Sequence, residues 1–497
     1  MADKTEPLET VRSSAMNSVT HCPIMMSSGH EHCGRSIYHP APGHDEEPVC
    51  LMHSRDPQKS DSEFQQEFER TLTEATDRKE VADFTRFFFP SAKYARREFK
   101  TRCRFDHAAF TQRADFSEAT FTQSVIFSDA TFEQSATFHC ASFMQTGYFY
   151  QVMFKQEANF SRAMFLQDAV FSHATFKQDA FFLGAGFTLE ANFEEVTFAK
   201  VVLFNQAKFL VSAAFRETVF RGDKKLEPET DDTLPGPVFS LAQFSHPEAI
   251  VFYKTYLGQA LFLNCDVSGV NFSSVTWRKR KRGGKRTVLE EKVSLDRPVA
   301  SALRPHPDSH DERNYVLIAE LYQQLKRNYD DRKDYWTAGD FHYGEMEMKR
   351  LHSRWRWRPL RWLDQHFSLV ALYKYASAYG ESYTMPLLWL VFFLAAFAFL
   401  YPVPGIEFNP PPGNIPGWLG YVDWRTFFYT HPAEHPSGFW GMILHSLMTS
   451  ISVAGFQREL RYVPSYPWGR MFALFELLLT TTLGGLFLLA IRRQFKR

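Results

Sequence analysis

Cysteine and histidine side chains with the spacing of metal ligands are concentrated in the first 53 residues of the chain. The pairs His30-x2-Cys33 and Cys50-x2-His53 each place two ligand atoms on one turn, and 16 residues separate the pairs. Zn²⁺ prefers four nitrogen or sulfur ligands in a tetrahedron, so this pattern predicts a structural zinc site. Cys22 is an alternative first ligand in place of His30. The alternative to any site is a His-rich tail in which the spacing arises by chance.

Two apolar segments near the C-terminus are long enough to cross a membrane. Residues 382–406 carry no charge, and residues 471–491 carry one, Glu476. Because about 20 apolar residues span about 30 Å of hydrocarbon, we expect two transmembrane helices, near 385–403 and 469–491. The alternative is a buried helix pair in a soluble domain.

Arginine and lysine side chains lie outside both apolar segments, which predicts an integral protein of the plasma or inner membrane with both termini in the cytoplasm. A further uncharged stretch lies between the two segments, and we expect a re-entrant helix followed by a loop over 438–457. A third full span would place the basic C-terminal tail on the outer side, against the charge bias.

This order of outer helix, pore helix, loop and inner helix resembles the two-span pore module of the potassium-channel superfamily, over about 379–493. The resemblance places the filter-like loop at Thr449, Ser450, Ile451, Ser452, Val453, Ala454, Gly455, Phe456 and Gln457. Gln457 and Arg458 depart from the family, which has a second glycine and an aspartate there. The resemblance also implies a permeant monovalent cation and a homotetramer. Gly484 and Gly485 suit either a gating hinge or a contact between closely packed helices.

A long periodic segment precedes these groups. Twenty-two phenylalanines run from Phe105 to Phe220 at alternating intervals of 5 and 6 residues. The residue two positions before each phenylalanine is small, and it is alanine in 15 of the 22 cases. Residues two apart lie on one side of a strand, so each pair can enter a common core. The pattern predicts a β-solenoid, and a helix with an 11-residue period is the alternative.

The Ala-Asp/Asn-Phe triplets at 114–116, 158–160 and 191–193 resemble the unit of the pentapeptide-repeat family. The resemblance implies a right-handed, four-sided β-helix. The additional residue in every second unit matches a phenylalanine-rich variant, with about 22 residues per coil and about five coils. A strict period of five returns over 261–277, which we expect to form a last coil or cap after a loop excursion near 222–237.

Composition limits the function classes. Lysine plus arginine and aspartate plus glutamate both total 56, so net charge gives no indication of a nucleic-acid partner. Six cysteines in 497 residues do not indicate a disulfide scaffold, and the chain does not open on an apolar run. We find no nucleophile elbow, phosphate-binding loop or paired carboxylates, so we do not expect an enzyme.

The predicted organisation has six parts: a Cys/His-rich zinc-binding segment (1–60), a helical lead-in (61–98), the solenoid (99–277), a basic, proline-containing linker (278–312), a helical hairpin followed by a Trp/Arg-rich interfacial segment (313–383), and the two-span pore-like domain (384–493). The predicted function is that of an ion-channel-like membrane protein whose cytosolic solenoid senses a signal or binds a protein partner. The alternative is a non-conducting, membrane-anchored scaffold.

Overall fold

The computed structural model describes residues 20–26, 31–38, 45, 47–221, 236–280, 283–291, 314–352, 357–403, 406–408, 421–422, 438–455, 462–464 and 467–495. The chain divides into two compact units between Arg332 and Lys333. The first unit contains the β-solenoid, and the second contains the C-terminal helices.

The solenoid consists of short strands that pair in parallel with the strand one coil later, so that four sheets form its four faces. The strands of the first face are Ala82–Asp83, Cys103–Arg104, Val125–Ile126, Gly147–Tyr148, Ala169–Val170, Glu190–Asn192, Ser212–Arg216, Ile250–Tyr253 and Asn271–Ser273. Those of the second are Phe88–Phe89, Ala109–Phe110, Thr131–Phe132, Met153–Phe154, Thr175–Phe176 and Thr197–Phe198. Those of the third are Ala92–Lys93, Ala114–Asp115, Ala136–Thr137, Ala158–Asn159, Ala180–Phe181, Val202–Leu203 and Pro237–Val238. Those of the fourth are Glu98–Phe99, Thr120–Phe121, Ser142–Phe143, Met164–Phe165, Gly186–Phe187, Lys208–Phe209 and Gln243–Phe244.

Stacked phenylalanine rings fill the interior of the solenoid. Phe138, Phe160 and Phe182 are fully buried, and consecutive ring centroids lie 4.8 and 5.1 Å apart with interplanar angles of 2° and 4°. The register advances by 22 residues per coil, as in the pairing of Ala136 with Ala158. Each ring therefore contacts the equivalent ring of the next coil, which confirms the predicted β-solenoid.

Two kinds of corner explain the alternation of 5 and 6 residues. In the five-residue interval from Phe105 to Phe110, the Ala108 N–H donates to the Phe105 carbonyl (3.1 Å) and His107 has φ 54°. A turn with positive φ at its third residue is a tight type II turn. The six-residue interval, such as Phe110 to Phe116, has no positive φ among its described residues and makes a wider corner.

The solenoid begins earlier and is longer than the sequence indicated. Nine strands stack in its longest sheet, so it makes eight turns over 82–273 rather than about five. The predicted helical lead-in over 61–98 is helical only in α1 (Asp61–Arg78). The core positions of the first coil are Phe84, Phe89, Tyr94 and Phe99. This coil differs from the 5- and 6-residue alternation of the later coils, because it contains a tyrosine and a strict period of five.

Helix α1 covers the N-terminal end of the solenoid. Ser60 caps its first turn, and Lys79 ends it in the left-handed conformation (φ 56°). Its apolar face packs on the first coil, with the Phe68 ring 4.5 Å from Phe84 and 4.8 Å from Tyr94. Without this cover the first coil would expose its rings to water.

Helix α2 (Tyr315–Asp331) covers the other end of the solenoid. Its Tyr329 hydroxyl accepts from the indole N–H of Trp277 (2.7 Å), and Asn328 donates to the Val267 and Val270 carbonyls (2.9 and 2.6 Å). A hairpin of Arg278–Lys279 with Arg286–Thr287 and the 3₁₀ turns Pro247–Ala249 and Leu289–Glu291 complete this end. The loop excursion near 222–237 lies largely outside the described residues.

The second unit contains six helices in the part that the structure describes. They are α3 (Tyr335–Leu351), α4 (Arg358–Phe367), α5 (Leu369–Ser377), α6 (Thr384–Leu400), α7 (Gly438–Ala454) and α8 (Pro467–Phe495), together with a sheet of Ile406–Phe408, Tyr421–Val422 and Tyr462–Pro464. The two helices predicted at the start of the 313–383 segment are α2 and α3, and the boundary between the compact units falls between them. Helix α6 ends at Leu400, short of the predicted 403, because Pro402 lacks the N–H that a further turn requires.

Candidate functional site

The cysteine and histidine cluster begins on a β-hairpin formed by residues 21–25 and 32–36. The N–H of Cys22 donates to the Arg35 carbonyl on the opposite strand (2.8 Å). This pairing brings Cys22 beside Cys33, although the two are distant in sequence.

The other two members of the cluster lie on one turn, where the His53 N–H donates to the Cys50 carbonyl (3.1 Å). The ligand atoms of Cys22, Cys33, Cys50 and His53 all lie within 4.8 Å of one another. The His53 Nδ1 is 3.2 Å from Cys50 Sγ and 3.4 Å from Cys22 Sγ, and the Sγ atoms of Cys33 and Cys50 are 3.6 Å apart. Cys22, Cys50 and His53 are buried, and Cys33 is half-buried.

The structure thus brings together three residues of the predicted ligand set, Cys33, Cys50 and His53. The fourth member of that set, His30, lies outside the described residues. Cys22, which the sequence offered as the alternative first ligand, supplies the fourth atom of the cluster. Cys22 joins the cluster because the hairpin pairs its strand with the strand of Cys33. A spacing of two residues between ligands detects only ligands that share a turn.

Close packing of the thiols changes their acidity. Hydrogen bonds from Cys22 and Cys50 hold the pKa of Cys33 well below the ordinary thiol range, in spite of burial. The same contacts with Cys22 and Cys33, together with burial, raise the pKa of Cys50. Burial alone would lower the pKa of His53, but hydrogen bonds to Cys22 and Cys33 outweigh it and raise the pKa to about 9. The cluster therefore stabilises at least one thiolate, the form of cysteine that binds metals.

Three residues that the sequence analysis did not single out hold the cluster in place. The Nε2–H of His53 donates to the Thr85 carbonyl (3.1 Å). Arg35 donates to Cys33 Sγ (3.3 Å). The Lys59 ammonium donates to the Leu51, Ser54 and Phe88 carbonyls, and burial lowers its pKa to about 7. Ligand spacing does not detect these three residues, because none of them is itself a ligand: Arg35 lies beside Cys33 on the hairpin, and Thr85 and Lys59 reach the cluster from residues further along the chain.

A polar junction joins three largely apolar helices in the second unit. The buried carboxylate of Glu476 in α8 accepts hydrogen bonds from the Tyr401 hydroxyl, at the end of α6, and from the Ser450 hydroxyl in α7. The Ser450 hydroxyl also lies 3.3 Å from the Leu394 carbonyl of α6. Phe397, Tyr401 and Val453 form an apolar cluster beside this junction.

The residues predicted to form a filter-like loop lie mostly in a helix. Helix α7 includes Thr449, Ser450, Ile451, Ser452, Val453 and Ala454. Gly455 follows in a turn, and its N–H donates to the Ile451 carbonyl (2.8 Å). Phe456 and Gln457 lie outside the described residues. Helix α7 therefore ends later than the filter alignment requires, at Ala454, and the residue that follows is Gly455, which has a low helix propensity.

Gly484 and Gly485 lie within the continuous helix α8. A Cβ atom added at either position would meet nothing within 4 Å inside the chain. The small-residue contact predicted as an alternative to a hinge is therefore not made within the described chain.

The first unit has the architecture of a β-solenoid protein with a helical cover at each end. Residues 98–208 of this solenoid match the family model described as Pentapeptide repeats (9 copies), through overlapping matches at 98–142, 116–164, 149–197 and 160–208. The solenoid is thus built of pentapeptide repeats, as its triplets indicated. The match does not extend to residues 384–493. A search of curated proteins found no significant match to the chain.

Proposed function

We propose that this chain is an integral membrane protein in which α6, α7 and α8 form a channel-like module and the solenoid serves as a cytosolic sensing or interaction domain. The observation that supports this proposal is the junction at Glu476, where one carboxylate accepts hydrogen bonds from two other apolar helices. A carboxyl group within apolar helices is costly unless it is satisfied by partners, and such groups commonly mark functional sites.

The outer surfaces of the three helices support a lipid environment. Helix α8 contains an apolar stretch of 25 residues, Trp468–Arg492, which is about 37 Å long and exceeds the about 30 Å of a bilayer core. Only 22% of its most apolar part is buried within the chain, so it is not a core helix of this unit. Leu388 in α6 and Leu478 in α8 are both 68% exposed. Apolar surfaces of this extent fit lipid or neighbouring subunits better than water.

Helix α6 is the weaker candidate for a span. Its 17 residues extend about 25 Å, less than a typical bilayer core, so it requires local thinning of the bilayer. We place both termini in the cytoplasm from the basic flanks, and propose a homotetramer and a monovalent cation by similarity to potassium-channel pore modules.

A second candidate function is a non-conducting scaffold anchored in the membrane. The helical conformation of Thr449–Ala454 favours it, because carbonyl groups that bond within a helix are not free to replace the hydration shell of an ion. In this case the helices would serve only to anchor and assemble the solenoids.

Reconstitution of the purified full-length chain distinguishes the two functions. The channel proposal predicts carbonate-resistant membrane integration, an oligomer mass near four chains and single-channel currents in planar bilayers. Silent bilayers across all salt gradients and voltages, with integration retained, would support the scaffold and refute conduction. Release of the chain by carbonate would refute the membrane proposal itself.

A further inference from the structure

We propose that Cys22, Cys33, Cys50 and His53 bind one Zn²⁺ ion, and that this ion fastens the N-terminal cap to the first coil of the solenoid. The proposal is independent of the membrane module, because all the residues that carry it belong to the first unit.

The distances fit a tetrahedral ion. With Zn–S bonds of about 2.3 Å, ligand atoms at the corners of a tetrahedron lie about 3.8 Å apart. The four ligand atoms here are within 4.8 Å of one another, and three of the pairs are separated by 3.2, 3.4 and 3.6 Å. Small side-chain movements therefore suffice to coordinate zinc. Three sulfur atoms and one imidazole nitrogen form a ligand set typical of structural zinc, and they favour it over Mg²⁺ or Ca²⁺, which prefer oxygen ligands.

Hydrogen bonding fixes the orientation of the histidine ligand. His53 Nε2 lies 3.1 Å from the Thr85 carbonyl, which can only accept, so the proton resides on Nε2. A metal would displace any proton on Nδ1, and the lone pair of Nδ1 would then face the ion beside the sulfur atoms of Cys22 and Cys50. A zinc-bound imidazole usually donates its other N–H to a carbonyl or carboxylate in this way.

Arg35 balances the charge of the proposed site. Three thiolates and Zn²⁺ carry a net charge of −1, and the Arg35 guanidinium donates to Cys33 Sγ at 3.3 Å. Glu67 and Thr71 of α1 accept from the same guanidinium (2.9 and 3.0 Å), so the arginine also links the site to the covering helix.

The ion would act on the end of the solenoid through aromatic contacts. The His53 ring lies edge-to-face against Phe87, with centroids 5.0 Å apart, and the Arg35 guanidinium lies 5.2 Å from the same ring centroid. Phe87 belongs to the first coil, and its ring also contacts Phe64 of α1, with centroids 6.4 Å apart. Four ligands from two segments would thus connect residues 22–53 to a coil that has no preceding coil to pack against. With four protein ligands the site leaves no open position for substrate, which indicates a structural role.

The experiment uses the full-length chain without a polyhistidine tag, produced in zinc-supplemented medium. Elemental analysis should give about one zinc per chain. Replacement by Co²⁺ should give the visible absorption of a tetrahedral site together with thiolate-to-cobalt charge transfer. Less than about 0.1 zinc per folded chain, or a Cys33–Cys50 disulfide found by mass spectrometry, would overturn the proposal.

Variants test the ligand assignment. Cys22→Ser and Cys50→Ser should lose most of the zinc, whereas the matched controls His30→Ala and Cys140→Ser should retain it. Retention of zinc by Cys22→Ser together with its loss from His30→Ala would overturn the proposed ligand set. If a serine variant fails to fold, the cobalt spectrum of the unmodified chain still decides whether thiolates bind the metal.

Hydrogen exchange tests the role of the ion. Removal of zinc by a chelator should accelerate exchange in residues 20–38, 47–60 and 82–99, and leave coils beyond about 130 unchanged. Unchanged exchange at the first coil would refute the capping role, even if zinc were bound.

Discussion

Replacing Glu290 with glutamine is expected to remove a pH dependence from the C-terminal end of the solenoid. Glu290 is only 6% exposed, and its Oε1 accepts from the Phe262 N–H at 2.6 Å. Its Oε2 is buried and has no hydrogen-bond partner among the described residues. Burial raises the pKa of Glu290 from 4.5 to about 7, although the hydrogen bond from Phe262 opposes this rise.

The sign and size of the effect follow from linkage. The folded state holds the proton of Glu290 more tightly than the unfolded state, so stability is greatest below pH 4.5 and falls as the pH rises to about 7. A rise in pKa from 4.5 to about 7 corresponds to about 3 kcal/mol, because one pKa unit is about 1.4 kcal/mol. Glutamine keeps the oxygen that accepts from Phe262 but cannot ionise.

The assay is hydrogen exchange of the Phe262 amide in the full-length chain, measured at pH 5 and pH 8 and corrected for the intrinsic rate. In the unmodified chain the local opening free energy should be lower at pH 8 by about 2.5 kcal/mol, because part of the full effect is already lost at pH 5, up to the limit set by global unfolding. The Glu290→Gln variant should show a much smaller difference, while Glu157→Gln, at an exposed position, should behave like the unmodified chain. Equal pH dependence in all three chains would refute the reasoning.

Two further perturbations test the solenoid itself. Phe160→Ala should lower the free energy of unfolding by about 3–5 kcal/mol, because the Phe160 ring stacks on the rings of both neighbouring coils. Hydrogen exchange should accelerate mainly in those two coils. Equal acceleration in all coils would contradict the view that each coil is stabilised by its nearest neighbours. Gly184→Val should lower the free energy of unfolding by about 1–2 kcal/mol, because Gly184 has φ 64°, a conformation that a β-branched residue adopts with strain. Gly184→Asn should change the same free energy by less than about 0.5 kcal/mol, because asparagine tolerates positive φ. Denaturant unfolding measures both values, and equal effects of the two variants would show that backbone conformation is not the cause.

The solenoid could be predicted from sequence because its core repeats in every coil. A small residue followed two positions later by phenylalanine recurs 22 times, and each occurrence repeats the same packing. The first coil does not show this repeat in sequence, because Tyr94 replaces a phenylalanine and the additional corner residue is absent between Phe84 and Phe99. The N-terminal boundary of the phenylalanine repeat in sequence therefore differs from the N-terminal boundary of the solenoid in the structure.

Contacts between distant segments could not be predicted in the same way. The apolar face of α2 was visible, but an amphipathic face packs equally well on a second helix or on the end of a solenoid. Likewise, the ligand spacing indicated Cys33, Cys50 and His53, whereas Thr85 and Arg35 contribute through three-dimensional contacts alone. Sequence periodicity specifies an element, and tertiary contacts decide its partner.

The two ends of the solenoid are the places where its stability can respond to conditions. Interior coils have a neighbouring coil on each side, so ring stacking on both neighbours buries their apolar core. A terminal coil has an unpaired strand edge and exposed rings, and it depends on its cover. At the N-terminal end this cover includes a cluster of three thiols and an imidazole, and at the C-terminal end it includes the buried carboxyl group of Glu290. Metal supply, thiol oxidation and pH should therefore act on the ends of this solenoid before they affect its middle, and the proposed sensing role is best tested at the covers.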